Sequence, residues 1–345
     1  MTLLEVLQKN DAARTQQANH RDPTKLPNLG GAMKTFMEAW PNQPTGTDFL
    51  RASGLYYTCP REFVLNYFSP VANKWFDARS QFMMSCGSHL HEVIQEMVLG
   101  PMGVLKGRWV SVPIAASGAK IHTKEGYHPD PERAIWEWTM QQPLTWKYEE
   151  ITVWDERLRI SGHVDGLVSV DRIEWLSQNL PLMKLDPKKA YMELCKIPPG
   201  TEAKLEIKTT GSWVYQSIKM PNDISDAYKM QSNVYQKLLG VDRVIFWYVN
   251  RDTMDSKMLP YWFEKHWWDT AASKARVIWE AIRDLKLPDA FAACKTPQDG
   301  RAVKCVFKEL CFHRWQPGQF EQWAKDQMAK QPDRKWLDLS GWTAT

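Results

Sequence analysis

Two carboxylates and one lysine occupy positions from which they could carry out metal-dependent chemistry. Asp165 ends one short segment with a strand pattern, and Glu206 and Lys208 flank Ile207 in another, AKLEIKTT. Because side chains alternate along a strand, Glu206 and Lys208 share one face while Ile207 points into the core. If the two strands are neighbours, the carboxylates converge and can bind Mg²⁺ or Mn²⁺ for phosphodiester hydrolysis. Taken alone, Glu-x-Lys is more often part of a solvated charged strand.

The elements that must position these residues follow a recognisable order. Helices come first, then antiparallel strands, then a strand, a helix and a strand. This order predicts an α/β fold with a mixed central sheet flanked by helices. Ser225 and Gly240 are placed to begin and end one of the helices. The predicted helices are 59–68, 87–99, 225–239 and 267–286, and the predicted strands are 151–154, 158–162, 163–170, 203–210 and 243–249.

The chain is expected to have an N-terminal arm with short helices, a core, and a C-terminal segment that carries cysteines and a Trp-rich tail. The boundaries of these three parts are 1–50, 51–290 and 291–345. Prolines between residues 171 and 200 predict an inserted loop within the core. That loop carries Lys184, Lys188 and Lys189, which either touch nucleic acid or belong to a solvated excursion.

The composition places the chain among globular proteins and excludes some functions. It has 345 residues, of which 43% are hydrophobic and 24% charged, and its net charge of +4 permits a nucleic-acid partner without requiring one. No apolar run approaches the ~18 residues of a membrane-spanning helix, and the N-terminus lacks the pattern of a secretory signal. We therefore expect a cytoplasmic protein with no membrane partner. No P-loop appears, so no helicase motor is expected within the chain.

The motifs around Asp165, Glu206 and Lys208 resemble, in their order and spacing, those of the PD-(D/E)xK nuclease superfamily. Asp165 closes a Gly-x-x-Asp motif, Glu206 and Lys208 form the Glu-x-Lys motif, and a Gly-x-x-x-His motif ending at His91 resembles the RecB/Cas4/AddB-like branch. The resemblance implies catalysis by Asp165, Glu206 and Lys208. It also implies that His91, Asp165, Glu206 and the backbone carbonyl of Ile207 bind Mg²⁺ or Mn²⁺. Without the resemblance, His91 would be a half-buried helix histidine.

A helix that follows the predicted lysine strengthens the resemblance. Gln231 and Tyr235 match the Gln-x-x-x-Tyr motif of the same branch, and residues four apart share a helix face. The resemblance implies that these two side chains lie near the DNA. It implies a restriction-endonuclease-like fold over roughly residues 55–312, and the stretch between Asp165 and Glu206 is longer than is usual for the family.

Four of the six cysteines also match the RecB/Cas4/AddB-like branch, in which one cysteine before the core and three after it hold a [4Fe–4S] cluster. Cys59 begins a Cys-Pro-Arg segment, Cys305 and Cys311 form a Cys-x5-Cys pair, and Cys294 lies upstream of that pair at a wider gap than is usual. The resemblance implies that these four cysteines bind the cluster. A Zn²⁺ ion is the alternative occupant, and unligated buried thiols are a third interpretation.

Taken together, the sequence predicts a metal-dependent deoxyribonuclease of bacterial, archaeal or viral origin. The resemblance favours an exonuclease that acts on single-stranded DNA or on DNA ends in processing, repair or recombination, with a possible helicase or recombinase partner. Trp213 and Tyr215 follow Lys208 and could stack on bases. The alternatives are a non-catalytic DNA-binding relative and an iron–sulfur or zinc module of a larger recombination or CRISPR-adaptation complex.

Overall fold

The computed structural model describes most of the chain in five stretches. These are residues 48–69, 78–112, 121–198, 200–291 and 294–343. The predicted N-terminal arm lies almost wholly outside them. The chain divides into two compact units, residues 1–42 with 74–84 and residues 43–73 with 85–345. Every residue that the sequence singles out for chemistry belongs to the second unit.

Ten β-strands are present in the described residues. They are β1 (Leu50–Arg51), β2 (Leu105–Ser111), β3 (Thr123–Tyr127), β4 (Trp146–Glu149), β5 (Ile151–Asp155), β6 (Ile160–Val164), β7 (Gly166–Ser169), β8 (Glu202–Thr210), β9 (Arg243–Asn250) and β10 (Ser256–Trp262).

Twelve α-helices, one π-helix and one 3₁₀-helix are present in the same stretches, and none of them is long and apolar enough to cross a membrane. The π-helix is Val93–Leu99 and the 3₁₀-helix is Pro221–Asp223. The α-helices are α1 (Pro60–Phe68), α2 (Ala78–Glu92), α3 (Pro131–Thr139), α4 (Val170–Gln178), α5 (Leu180–Leu185), α6 (Pro187–Lys196), α7 (Ser212–Ser217), α8 (Asp226–Leu239), α9 (Lys265–Arg283), α10 (Gly300–Val303), α11 (Lys308–Cys311) and α12 (Gln319–Ala329).

The strands form two sheets, and the larger one is mixed. Its order is β10-β9-β8-β7-β2-β3, with β4 paired to β2 as well. Strands β8 and β9 run parallel and the remaining pairs antiparallel. Helix α8 lies between β8 and β9 in the chain, as a parallel crossover requires. The smaller sheet has the order β1-β6-β5. The predicted mixed sheet flanked by helices is therefore confirmed.

Helix α8 begins and ends where its sequence predicts. The hydroxyl of Ser225 accepts a hydrogen bond from the backbone N–H of Tyr228 at 3.4 Å, and Gly240 adopts the left-handed conformation at φ 71°. A serine at the N-cap satisfies a backbone donor, and a glycine past the end adopts a positive φ without strain. These two residues therefore define the ends of α8.

Residues 171–200 are largely helical, so the predicted inserted loop is wrong. Helices α4, α5 and α6 fill this stretch. Asp186 caps α6 by accepting a hydrogen bond from the backbone N–H of Lys189 at 3.0 Å, and Pro187 occupies the first turn. A proline in the first turn favours a helix, because the N–H that it lacks would have no helical partner. Pro181 and Pro187 therefore lie in the first turns of helices, whereas Pro198 follows the end of α6.

The core lies on both sides of β8. On one face, Leu205 and Ile207 pack with Leu176 of α4 and Leu194 of α6. A second cluster joins α1, α8, α9 and the C-terminal segment around Trp279, whose indole N–H donates to the carbonyl of Leu158 at 2.8 Å. On the other face of β8, Lys204 and Glu206 are also buried.

Candidate metal centre

Asp165 occupies the link between β6 and β7, beside the strand that carries Glu206. Gly166 pairs with Leu205, so Asp165 stands one residue beyond that pair, next to Glu206. The Oδ2 atom of Asp165 accepts a hydrogen bond from the backbone N–H of Ile207 at 2.6 Å. The strands that carry the predicted carboxylates are therefore neighbours in the sheet, and Asp165 is fixed to the backbone of β8.

His91 faces the other oxygen of this carboxylate. It lies in the last turn of α2, and its Nδ1 atom is 3.7 Å from Oδ1 of Asp165. Burial lowers the pKa of His91, Lys208 lowers it further, and Asp165 opposes both. A lowered pKa keeps the imidazole neutral at physiological pH, which is the form that can donate a lone pair to a metal ion.

Glu150, which the sequence analysis did not select, completes a group of three potential ligands. One ligand atom each from His91, Glu150 and Asp165 lie within 4.8 Å of one another. The pairing of Ile151 with Val164 in the β5–β6 hairpin carries Glu150 opposite Asp165. Although Glu150 is exposed as a residue, partial loss of water around its carboxylate raises its pKa, and the charge of Asp165 raises it further.

Gln95 lies between the two strand connections that carry Glu150 and Asp165. Its Nε2 atom donates to the backbone carbonyl of Asp165 at 2.8 Å, and its side chain lies near the Glu150 carboxylate and lowers the pKa of that group. Gln95 is 4% exposed and lies in the π-helix that follows His91. Single turns of π-helix occur often at functional sites, because the extra residue redirects side chains.

Glu206 is held between two lysines on the polar face of β8. It forms ion pairs with Lys204 and Lys208, and all three side chains share the same strand face. Lys204 and Glu206 are buried, and Lys204 also contacts the hydroxyl of Ser232 at 3.3 Å and the ring of Tyr235 at 4.8 Å. Complete burial lowers the pKa of Lys204, and Asp165 opposes this. The sequence analysis missed Lys204, although strand alternation identifies it.

Lys208 lies at the more open end of this row. Its ammonium group is 4.4 Å from the ring centre of Tyr228, and its charge lowers the pKa of both His91 and Glu150. Lys208 is thus electrostatically coupled to the group of three ligands. Trp213 on α7, a short distance further along the chain, is 82% exposed, so its ring is open to a stacking partner.

The predicted DNA-contacting pair on α8 lies inside the protein. The side chain of Gln231 and the backbone of His163 lie near the hydroxyl of Tyr235 and partly offset the rise in its pKa that burial causes. Tyr235 is only 2% exposed. This burial excludes direct contact between Tyr235 and DNA in the described conformation, and it gives the ring a role in packing α8 against β6.

Gly162 is the residue that allows this packing, and its replacement is a test of it. A Cβ atom at Gly162 would lie 2.4 Å from the ring and hydroxyl of Tyr235. We expect Gly162→Ala to lower the free energy of unfolding by about 1–3 kcal/mol, as overpacking in a core does. Urea unfolding measures the change. Gly341→Ala is the control, since a Cβ there meets nothing within 4 Å. Equal stability of both variants would contradict this account.

The four cysteines that resemble cluster ligands surround one cavity. Cys59 at the start of α1 lines it together with Cys294, Cys305 and Cys311 from the C-terminal segment. Burial raises the pKa of Cys294 and of Cys311, and the neighbouring Cys59 raises both further. Cys86 and Cys195 are exposed and do not line this cavity. The structure thus groups the four cysteines that the sequence singles out.

Basic side chains surround the cavity. Arg301 and Lys308 line it, and Arg61 lowers the pKa of Cys311 by its charge and by a hydrogen bond. Arg61 also donates to the backbone carbonyls of Cys311 at 2.9 Å and Pro288 at 2.7 Å. These basic groups favour the thiolate, the form in which cysteine binds metal, whereas burial and Glu62, which also lines the cavity, oppose it.

The four sulfur atoms are not tightly clustered. All four cysteines belong to the described residues, and no three of their sulfur atoms come within 4.8 Å of one another. Four thiolates around one tetrahedral zinc ion, at Zn–S distances of about 2.3 Å, would be about 3.8 Å apart. The spacing of the sulfur atoms is therefore wider than a single zinc ion requires.

Comparison with known proteins does not name a family. No protein-family model matches the chain, and no curated protein matches it. Among solved structures, one described as "Crystal structure of SSO0001" shares 12% sequence identity, with 84% of this chain and 96% of that chain covered and a TM-score of 0.32. A likeness at this TM-score carries no argument about fold or function.

Proposed function

We propose that this protein is a metal-dependent deoxyribonuclease with a restriction-endonuclease-like fold, acting in the cytoplasm as an exonuclease on single-stranded DNA or DNA ends. One observation carries the proposal. His91 and Asp165 lie within contact range beside β8, whose polar face presents Glu206 and Lys208. A neutral imidazole, converging carboxylates and a lysine are the groups that metal-assisted phosphodiester hydrolysis needs.

The donor set fits a hard divalent cation. The family resemblance implies His91, Asp165, Glu206 and the backbone carbonyl of Ile207 as ligands. His91 and Asp165 lie together, and Asp165 is anchored to the N–H of Ile207, whereas the ligand atoms of His91, Asp165 and Glu206 do not all lie within 4.8 Å of one another. When bound, Mg²⁺ or Mn²⁺ would supply Lewis-acid polarisation of the phosphodiester. Lys208 is placed to orient the attacking water or to stabilise charge that develops on the phosphate. Its ion pair with Glu206 keeps the ammonium group within the site.

We assign the cysteine cavity to a [4Fe–4S] cluster held by Cys59, Cys294, Cys305 and Cys311. Four thiolates around one cavity are a ligand set that suits a [4Fe–4S] cluster, and a single zinc ion is the alternative occupant. The basic residues around the cavity would balance its negative charge. The cluster would act structurally, because it would join the start of α1 to the C-terminal segment.

A cleavage assay tests the nuclease proposal. Anaerobically purified protein is mixed with end-labelled single-stranded DNA and Mn²⁺ or Mg²⁺, and with EDTA as the metal-free control. We expect cleavage that needs the metal and that Asp165→Asn slows by at least about 10²-fold. Asp269→Asn is the matched control, because Asp269 is an exposed residue that pairs with Lys265 on α9. Binding of DNA without cleavage by the unmodified protein would leave the non-catalytic DNA-binding alternative.

A further inference from the structure

We propose that Glu150 is a ligand of the divalent cation, so that His91, Glu150 and Asp165 together capture the ion. This inference rests on the metal site of the proposed nuclease. It departs from the ligand set that the family resemblance implies, in which Glu150 has no part. The three side chains come from the end of α2, the β4–β5 link and the β6–β7 link, and their ligand atoms lie within 4.8 Å of one another.

The position of Glu150 follows from the pairing of strands β5 and β6. It does not depend on the conformation of a single side chain. Strands β5 and β6 pair along their whole length, from Asp155 opposite Ile160 to Ile151 opposite Val164. The next pair in that register is Glu150 opposite Asp165. Directly opposed residues on antiparallel strands have Cβ atoms roughly 5 Å apart. Two carboxylates at such a position repel each other, and a divalent cation between them removes the repulsion.

Glu150 and Glu206 differ in whether nearby lysines already neutralise their negative charge. The carboxylate of Glu206 is already compensated by ion pairs with Lys204 and Lys208. Within the part of the chain that the structure describes, no lysine or arginine nitrogen lies within 4.0 Å of the carboxylates of Glu150 or Asp165. The negative charge that remains for a cation to neutralise is therefore on the side of Glu150.

Gln95 holds the two carboxylate-bearing links in a fixed relation. Its buried amide donates to the backbone carbonyl of Asp165 at 2.8 Å and lies beside the side chain of Glu150. Residues that hydrogen-bond to metal ligands are a regular part of metal sites, because they orient the ligands before the ion binds.

The chemistry of the three ligands identifies the ion class. Two carboxylates suit Mg²⁺ and Mn²⁺, whereas an imidazole nitrogen is a ligand of transition-metal ions. One imidazole with two carboxylates therefore fits Mn²⁺ better than Mg²⁺. Three protein ligands also leave coordination positions for water or a phosphate oxygen. The site is expected to bind Mn²⁺ in the absence of DNA.

Calorimetric titration of the anaerobically purified full chain with Mn²⁺, without DNA, tests this assignment. We expect Glu150→Gln to weaken Mn²⁺ binding at least about tenfold, since even the partners of metal ligands contribute about 10–100-fold to affinity. Glu149→Gln is the matched control. Glu149 is the adjacent residue, and its carboxylate is 3.2 Å from Arg108, so it should stay within about twofold of the unmodified protein. Asp165→Asn shows how much Mn²⁺ affinity is lost when one of the ligands is removed. Circular dichroism checks that each variant is folded.

The outcomes separate this inference from the proposed function. If Glu150→Gln binds Mn²⁺ as the unmodified protein does while Asp165→Asn does not, Glu150 is not a ligand and the nuclease proposal stands. If Glu150→Gln weakens binding but the unmodified protein cleaves no DNA, the metal site stands and the nuclease proposal fails. If Asp165→Asn leaves Mn²⁺ binding unchanged, the metal site itself is wrong.

Discussion

Replacing Lys208 with alanine is expected to reduce DNA cleavage by about 10²–10³-fold, the usual loss when one preorganised donor is removed from a transition state. Lys208 is 16% exposed and stands at the open end of the charged row on β8. Its loss removes the ammonium group that, in the proposed mechanism, would face the reacting phosphate. Glu206 keeps its ion pair with the buried Lys204, so the strand should stay folded.

Three measurements on this variant distinguish a chemical role from a structural one. Single-turnover cleavage rates should fall, while DNA affinity at fixed salt and Mn²⁺ affinity should change only a few-fold. Lys325→Ala is the control, because Lys325 forms an exposed pair with Glu321 on α12 and lies outside the site. Cleavage by Lys208→Ala at the rate of the unmodified protein would contradict the assigned role.

Replacing Cys59 with serine is expected to abolish the iron–sulfur cluster and to destabilise the fold. Cys59 is 6% exposed at the start of α1, whereas its three partners lie more than two hundred residues later in the chain. The unmodified protein should contain about four iron ions per chain and absorb broadly near 400 nm. The variant should lose both signals, and its melting temperature should fall by about 10 °C, because metal binding contributes directly to folding.

Cys195→Ser is the control for this experiment, since Cys195 is exposed and remote from the cavity. Iron content, zinc content and the visible spectrum are measured on protein purified without oxygen. A colourless protein with one zinc ion would replace the cluster with the zinc alternative. Full absorbance in Cys59→Ser would remove Cys59 from the ligand set.

Several features of the fold were predictable because they depend on neighbours in the sequence. Ser225 and Gly240 define the ends of α8 by local hydrogen bonding and backbone conformation. The shared face of Glu206 and Lys208 follows from strand alternation alone. The same alternation predicts Lys204, which was overlooked because a buried lysine is rare without a partner. Its partners, Glu206 and Ser232, are brought together only by the packing of α8 on β8.

Other features depend on contacts that no local pattern records. Glu150 follows another glutamate in a link between strands, which is typical of a solvated turn. Only the register of the β5–β6 hairpin brings it opposite Asp165. The helices between residues 170 and 196 are hard to predict, because a proline in the first turn of a helix cannot be told from a proline in a loop by sequence alone. The burial of Tyr235 depends on Gly162, a residue more than seventy positions earlier in the chain.

Both ends of helix α1 are hydrogen-bonded to segments that the ribosome synthesises much later. Arg61 reaches the carbonyl of Cys311, and Arg334 donates to the carbonyl of Tyr67 at 2.7 Å. At roughly 5–20 residues per second, the ribosome needs about 10–50 s to travel from the codon for Arg61 to that for Cys311. Throughout that interval Phe68 of α1 lacks the rings of Phe320 and Trp336, on which it packs in the folded protein, so this part of the apolar face stays exposed until the C-terminal segment has been made. Whatever the four thiols bind can be loaded only after Cys311 has been made.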